Sequence, residues 1–287
     1  MKNFTLRLLT GIAYVAIITF CVICSPYTFL ALFMLITFFC LKEFYQLMNI
    51  HKEITVNPYI HGAGGALLFL TAFWFFSGVG GRIVFLFYLA YIMGVFVYEI
   101  YARQQKPIFR ISSIFFGQCY IALPLSLLNL SAFPVSYGYS HENNSLYSWI
   151  WVIVLLVFIW VNDTGAYLTG VRFGKHRLCE RISPKKSWEG FFGGLFFTII
   201  SALIFYRFLP GVAWYHWIAL SVVIVVFGTY GDLFESLIKR TVEVKDSGGS
   251  LPGHGGFLDR FDSLLFAVYG MLFYMEISGI AIYLSNK

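Results

Sequence analysis

Apolar residues recur along this chain in long runs separated by short polar breaks. Nine such runs stand out, at about 8–24, 27–47, 60–79, 83–101, 112–131, 149–170, 190–207, 214–235 and 262–284. A helix needs roughly 20 mostly apolar residues to cross about 30 Å of hydrocarbon, and each run is close to that length. Lipid offers no outside partner to backbone N–H and C=O groups, so a spanning segment must satisfy them internally. The two-residue alternation of a membrane barrel is absent. The pattern therefore predicts an all-α, polytopic membrane protein of about nine helices. No internal repeat or low-complexity tract appears.

Composition agrees. Of the 287 residues, 59% are hydrophobic and 12% are charged, whereas a soluble domain is about 25% charged. Lys2 and Arg7 precede the first run in the manner of a secretory signal. No A-x-A-like cleavage site follows and a second run begins at once, so an uncleaved first span is expected. The net charge of +6 does not point to nucleic acid, because Lys and Arg in such a chain collect in cytoplasmic loops. With the N-terminus in the cytoplasm, nine alternating spans put seventeen of the twenty Lys and Arg inside. Only Arg82, Arg207 and Lys287 fall outside. This predicts a C-terminus outside. The five cysteines show no metal spacing, and Cys21-x-x-Cys24 lies within an apolar run; all read as small hydrophobic fillers.

The chain divides by character. Residues 1–148 hold about five spans with short loops and little evident chemistry. Residues 149–287 hold about four spans and two long polar inside loops, 171–189 and 236–261, and this region is expected to be catalytic.

Near the end of the eighth run, Asp232, Glu235, Ser236 and Lys239 stand at i, i+3, i+4 and i+7. On a helix they form one polar stripe, either a salt-bridged seam or part of a site. Lys245-Asp246-Ser247-Gly248-Gly249 and Pro252-Gly253-His254-Gly255-Gly256 follow. Such glycines let backbone N–H groups approach a phosphate, although any turn also uses them. Asp259 and Asp262 are i, i+3 partners at the mouth of the last span. Like charges so placed call for a cation, and a hard divalent ion such as Mg2+ prefers carboxylate oxygen. Capping of the last helix would need only one of them. The other loop carries Asn162-Asp163-Thr164-Gly165 at an apolar run's end, then Arg181-Ile182-Ser183-Pro184-Lys185-Lys186-Ser187-Trp188-Glu189-Gly190. Ser187 suits a helix cap. Lys185 and Lys186 suit a polyanion or anionic lipid. Glu276 reads as a helix–helix polar contact or a cavity lining, Glu99 lies near the inner end of the fourth run, and His51, His61, His141, His176 and His216 show no ligand spacing.

The stretch S-L-I-K-R-x4-K-D-x-G-x2-L-P-G-H-G-G-x-L-D-R-x-D, from Ser236 to Asp262, resembles the signature of CDP-diacylglycerol synthases (phosphatidate cytidylyltransferases). The 162–167 and 181–190 stretches are similar to a second region of that family. The resemblance implies that CTP and phosphatidic acid give CDP-diacylglycerol and pyrophosphate, with Mg2+ and a second cation such as K+, in a homodimer of the bacterial inner membrane. It implies metal ligation by Asp232, Asp259 and Asp262. Lys239 and Asp246 would join the two last aspartates in catalysis. Substrate would meet Asn162, Asp163, Lys185, Lys186, Ser236, Arg240, Lys245, His254, Gly255 and Gly256. The exact duty of Asp246, nucleotide contact or lysine orientation, stays open.

Three other readings compete. A cation-coupled secondary transporter would explain buried acids, but predicts them near mid-span, whereas these stand at inner ends. A CDP-alcohol phosphotransferase would need a D-G-x2-A-R…G-x3-D-x3-D pattern that the chain lacks. A non-catalytic scaffold leaves the dense polar segments unexplained.

Overall fold

The computed structural model describes residues 2–50, 55–103, 105–134, 147–209, 211–249 and 255–280. Ten α-helices account for most of them: α1 Lys2–Cys24, α2 Pro26–Met48, α3 Pro58–Phe76, α4 Phe85–Tyr101, α5 Pro107–Gly117, α6 Leu123–Ala132, α7 Ile150–Phe173, α8 Trp188–Phe208, α9 Trp214–Thr241 and α10 Leu258–Ser278. A π-helical turn, Gln118–Ala122, joins α5 and α6 into one continuous span. Among the described residues, eight helical segments are long and apolar enough to cross a membrane, and α1 adds a shorter apolar stretch, Thr10–Cys24. The protein is thus an all-α, polytopic integral membrane protein, as the hydrophobic pattern predicts.

The differences lie at the ends of the elements. Residues 171–189 are not simply a loop. They contain an antiparallel hairpin of β1 Arg177–Cys179 and β2 Ser183–Ser187. The expected eighth span, 214–235, continues as helix to Thr241. Its 28 residues measure about 42 Å at 1.5 Å per residue, so the polar last turns reach past a ~30 Å hydrocarbon layer. The last helix begins at Leu258, four residues before the expected start.

The chain forms two compact units. The first is Met1–Phe133, Glu142–Trp149 and Val242–Phe261; the second is Pro134–His141, Ile150–Thr241 and Asp262–Lys287. The Val242–Phe261 segment belongs with the N-terminal helices in the first unit. Helix starts in the first unit follow local chemistry. Ser25 Oγ accepts the Tyr27 N–H, and Asn57 Oδ1 accepts those of Tyr59 and Ile60, each just before a proline at the first helical position. Both residue types are favoured there. Phe29, Phe33 and Phe69 pack with ring centroids 4.9–6.1 Å apart in the core. Arg110, which orientation arithmetic counts as a loop cation, is instead buried in α5 and paired at 3.1 Å with Glu99 of α4.

In the second unit, α7 and α8 lie very close. A Cβ at Gly194 would stand 2.4 Å from Asn162 Oδ1 and 2.8 Å from the Asn162 carbonyl oxygen. Only glycine allows that approach. Trp217 stacks against Trp151 and Phe205, both at 5.8 Å, closing the other end of the unit. Ser187 caps α8 by accepting the Gly190 N–H at 3.1 Å, as its position suggests.

Gly194→Val overpacks the α7–α8 contact. Such changes cost about 1–3 kcal/mol. The detergent-solubilised variant is expected to show a lowered unfolding temperature and a smaller monodisperse fraction, read by thermal shift and size exclusion.

Candidate active site

The polar stripe foreseen on the eighth span is real and helical. Near the end of α9, the Ser236 hydroxyl donates to Asp232 Oδ1 at 3.4 Å, and Lys239 pairs with Glu235 one turn earlier. Glu235 is fully buried. Gly231 makes room for α10: a Cβ there would stand 2.6 Å from the Asp262 carbonyl oxygen. From Asp262 onward α10 thus lies against α9. Asp262, partly buried, comes within electrostatic range of Asp232, Glu235, Asp163 and Lys186. Four carboxylates from α7, α9 and α10 and two lysines therefore share one region of the second unit.

The hairpin supplies one of those lysines. Successive strand residues point to opposite faces, so Lys185 and Lys186 cannot act alike. Lys186 turns inward and pairs with Asp232, whereas Lys185 is exposed. Arg240 Nε reaches the Ile182 carbonyl at 3.4 Å from α9. Glu189, in the first turn of α8, accepts the backbone N–H groups of Lys175 and His176 at 3.1–3.2 Å and pins the hairpin's entry. Asn162 is buried against Gly194, with Oδ1 lacking a hydrogen-bond partner. It faces a neighbouring helix more than open space. Asp163 next to it is exposed.

Asp259 belongs to the first unit. Its carboxylate accepts the Ser247 N–H at 3.1–3.2 Å and the Gly256 N–H at 2.9 Å. The Gly256 donor is thus already engaged within the chain. Lys245 and Asp246 are exposed on the same segment and Gly255 adopts φ +82°. His254 lies outside the described residues.

One residue of this region went unnoticed in the sequence. Glu43, in α2, is 1% exposed. Its Oε2 accepts the Ser247 hydroxyl at 3.2 Å and the Leu258 N–H at 3.0 Å. A carboxylate inside an otherwise apolar span is costly and commonly functional, and that was the available signal.

The donor set matches a hard divalent cation in kind: carboxylate oxygens in excess of lysines. Among the described residues no three acid, histidine or cysteine side chains already converge as a metal cage. Asp232 and Glu235 are instead drawn onto Lys186 and Lys239, the arrangement that Coulomb attraction favours.

A model described as the cytidylyltransferase family matches residues 5–278. The chain belongs to the cytidylyltransferase family. Its relatives include the phosphatidate cytidylyltransferase of Staphylococcus aureus (strain COL), 48% identical over 123 residues, 41% of this chain and 46% of that protein. That of Staphylococcus epidermidis (strain ATCC 35984) is 42% identical over 144 residues, 50% of this chain and 55% of that protein. That of Bacillus subtilis (strain 168) is 34% identical over 185 residues, 64% and 63% respectively. The matched part spans about half the length of the staphylococcal relatives.

Lys186→Met should release the hairpin, and Lys185→Met should not. Partly exposed ion pairs contribute about 0.2–1 kcal/mol, so amide exchange across 177–187 is expected to quicken by at most about fivefold in Lys186→Met alone. Equal exchange in both variants would contradict the inward assignment of Lys186.

Proposed function

We propose that this protein is a phosphatidate cytidylyltransferase: CTP and phosphatidic acid give CDP-diacylglycerol and pyrophosphate. The observation that carries this reading is the meeting of Asp163, Asp232, Glu235 and Asp262 with Lys186 and Lys239 at one region of an otherwise apolar bundle. Family membership over residues 5–278 supports it, and so do the names of the relatives.

In this reaction a phosphatidate oxygen forms a bond to the α-phosphorus of CTP. The bond from that phosphorus to the bridging oxygen breaks, and pyrophosphate leaves with the electron pair. Both reactants are anions, so positioning and charge neutralisation dominate and covalent help is not required. Lys186, Lys239 and Arg240 supply positive charge from the hairpin and α9. Lys185 and Lys245, both exposed, extend it toward solvent. Asp232, Asp259 and Asp262 would hold Mg2+, which when bound neutralises phosphate charge and polarises the reacting phosphorus. A second cation such as K+ belongs to the same reading, with its ligands unassigned. Ser236, bonded to Asp232, orients that carboxylate. Asp246, which is exposed, would meet the nucleotide or an adjacent lysine. The apolar exterior lets the lipid substrate arrive sideways from the leaflet while CTP arrives from water.

The concentration of Lys and Arg in the 171–189 and 236–261 segments supports a cytoplasmic site in a bacterial inner membrane. A homodimer completes the proposal.

Purified protein given CTP, Mg2+ and phosphatidate is expected to release pyrophosphate, with EDTA abolishing the release. Asp262→Asn is expected to lower kcat by about 10³-fold or more, the scale of losing a key electrostatic group. Undiminished turnover in Asp262→Asn would remove the metal assignment. Absence of lipid-dependent pyrophosphate release from the wild-type protein would remove the function itself.

A further inference from the structure

Glu43 poses a physical problem. It is 1% exposed in an apolar helix, its Oε1 has no hydrogen-bond partner, and it makes no ion pair among the described residues. The neighbouring Lys42 lies over the rings of Phe39 and Tyr59 at 5.9 and 5.1 Å. A buried polar atom without a partner costs roughly 1–3 kcal/mol, so Oε2 must return something for the placement.

What Oε2 does is bring two distant backbone points together. It accepts the hydroxyl of Ser247 and the N–H of Leu258, the first residue of α10. Ser247 then donates its N–H to Asp259, which also accepts the Gly256 N–H. Two carboxylates, one hydroxyl and three N–H groups thus form a closed clasp around the start of α10. The glycines beside it exist for the same reason. A Cβ at Gly256 would stand 2.4 Å from Glu43 Oε2 and 2.1 Å from Ser247 Oγ; one at Gly248 would stand 2.9 Å from Glu43 Oε1. Glu43 occupies the space a side chain would need. Glu43 also satisfies an N–H at the helix start that has no intrahelical partner.

We propose that Glu43 is a positioning residue for the cytidylyl transfer: through Ser247 and Leu258 it fixes the first turn of α10, and hence the direction in which Asp259 presents its carboxylate. This rests on the function proposed above for α10's acids, but the clasp itself does not.

The test uses the full-length protein in nanodiscs and three variants: Glu43→Ala, Glu43→Gln and Ser247→Ala. Steady-state kinetics with CTP and phosphatidate are combined with hydrogen exchange of the peptides carrying residues 245–249 and 255–262. Glu43→Ala is expected to lose about 10²-fold in kcat, the scale of a small misplacement of reacting groups, with KM for CTP changed less than about threefold. Exchange should rise in those two peptides and stay unchanged in α3 and α9. Glu43→Gln keeps one oxygen for both donors and should recover most of both signals. Ser247→Ala, which loses only the hydroxyl, should fall between and decides the matter if Glu43→Ala does not fold. The proposal is overturned if Glu43→Ala matches wild type, if Glu43→Gln is as impaired as Glu43→Ala, or if exchange rises throughout the helices. If wild type transfers no cytidylyl group, the reaction is wrong, and exchange alone then tests the clasp.

Discussion

A carboxylate surrounded by apolar helices must find a cation or a group of N–H and O–H donors, because lipid and packed side chains solvate charge poorly. The acids of this protein meet that requirement in different ways. Glu99 takes Arg110, a pair buried between α4 and α5. Asp232 takes Lys186 from the hairpin, and Glu235 takes Lys239 from its own helix. Asp259 takes backbone N–H groups, and Glu43 a hydroxyl and an N–H. The first solution is structural, since one charge meets one charge out of contact with water. The region around Asp262 differs. There the acids outnumber the lysines.

Glycines let this arrangement be built. Gly194 lets α7 and α8 touch at Asn162. Gly231 lets α10 approach α9 so that Asp262 meets Asp232 and Glu235. Gly256 and Gly248 leave room for Glu43. Two of these sit in the stretch whose glycines suggested a phosphate cradle. Their observed duty is steric, and the N–H of Gly256 is bonded to Asp259. A glycine-rich segment next to carboxylates therefore has at least two physical explanations, and only contacts separate them.

Two adjacent lysines make the same point for charge. Lys185 and Lys186 are equivalent as neighbours in a basic run. On a strand they face opposite ways, and one is tied to Asp232 while the other meets solvent. The strand itself had no hydrophobic signature to betray it, since β2 reads Ser-Pro-Lys-Lys-Ser. The residues that flank the hairpin strands, Lys175 and Ile182, are tied instead to Glu189 and Arg240 of the adjoining helices.

Much of the architecture was legible from one dimension. Apolar runs of about twenty residues admit only helices in lipid, so the helical spans, their order and the polar stripe of α9 followed from spacing alone. The Ser236–Asp262 stretch pointed to the family by its resemblance to that family's signature. What spacing could not supply was pairing across the fold. Glu43 lies more than two hundred positions from Ser247 and Leu258, Arg110 resembled a loop cation, and the 242–261 segment packs with helices from the other end of the chain. Hydrophobic period is a local property written along the chain, whereas the partner of a buried charge is decided only when separate helices pack.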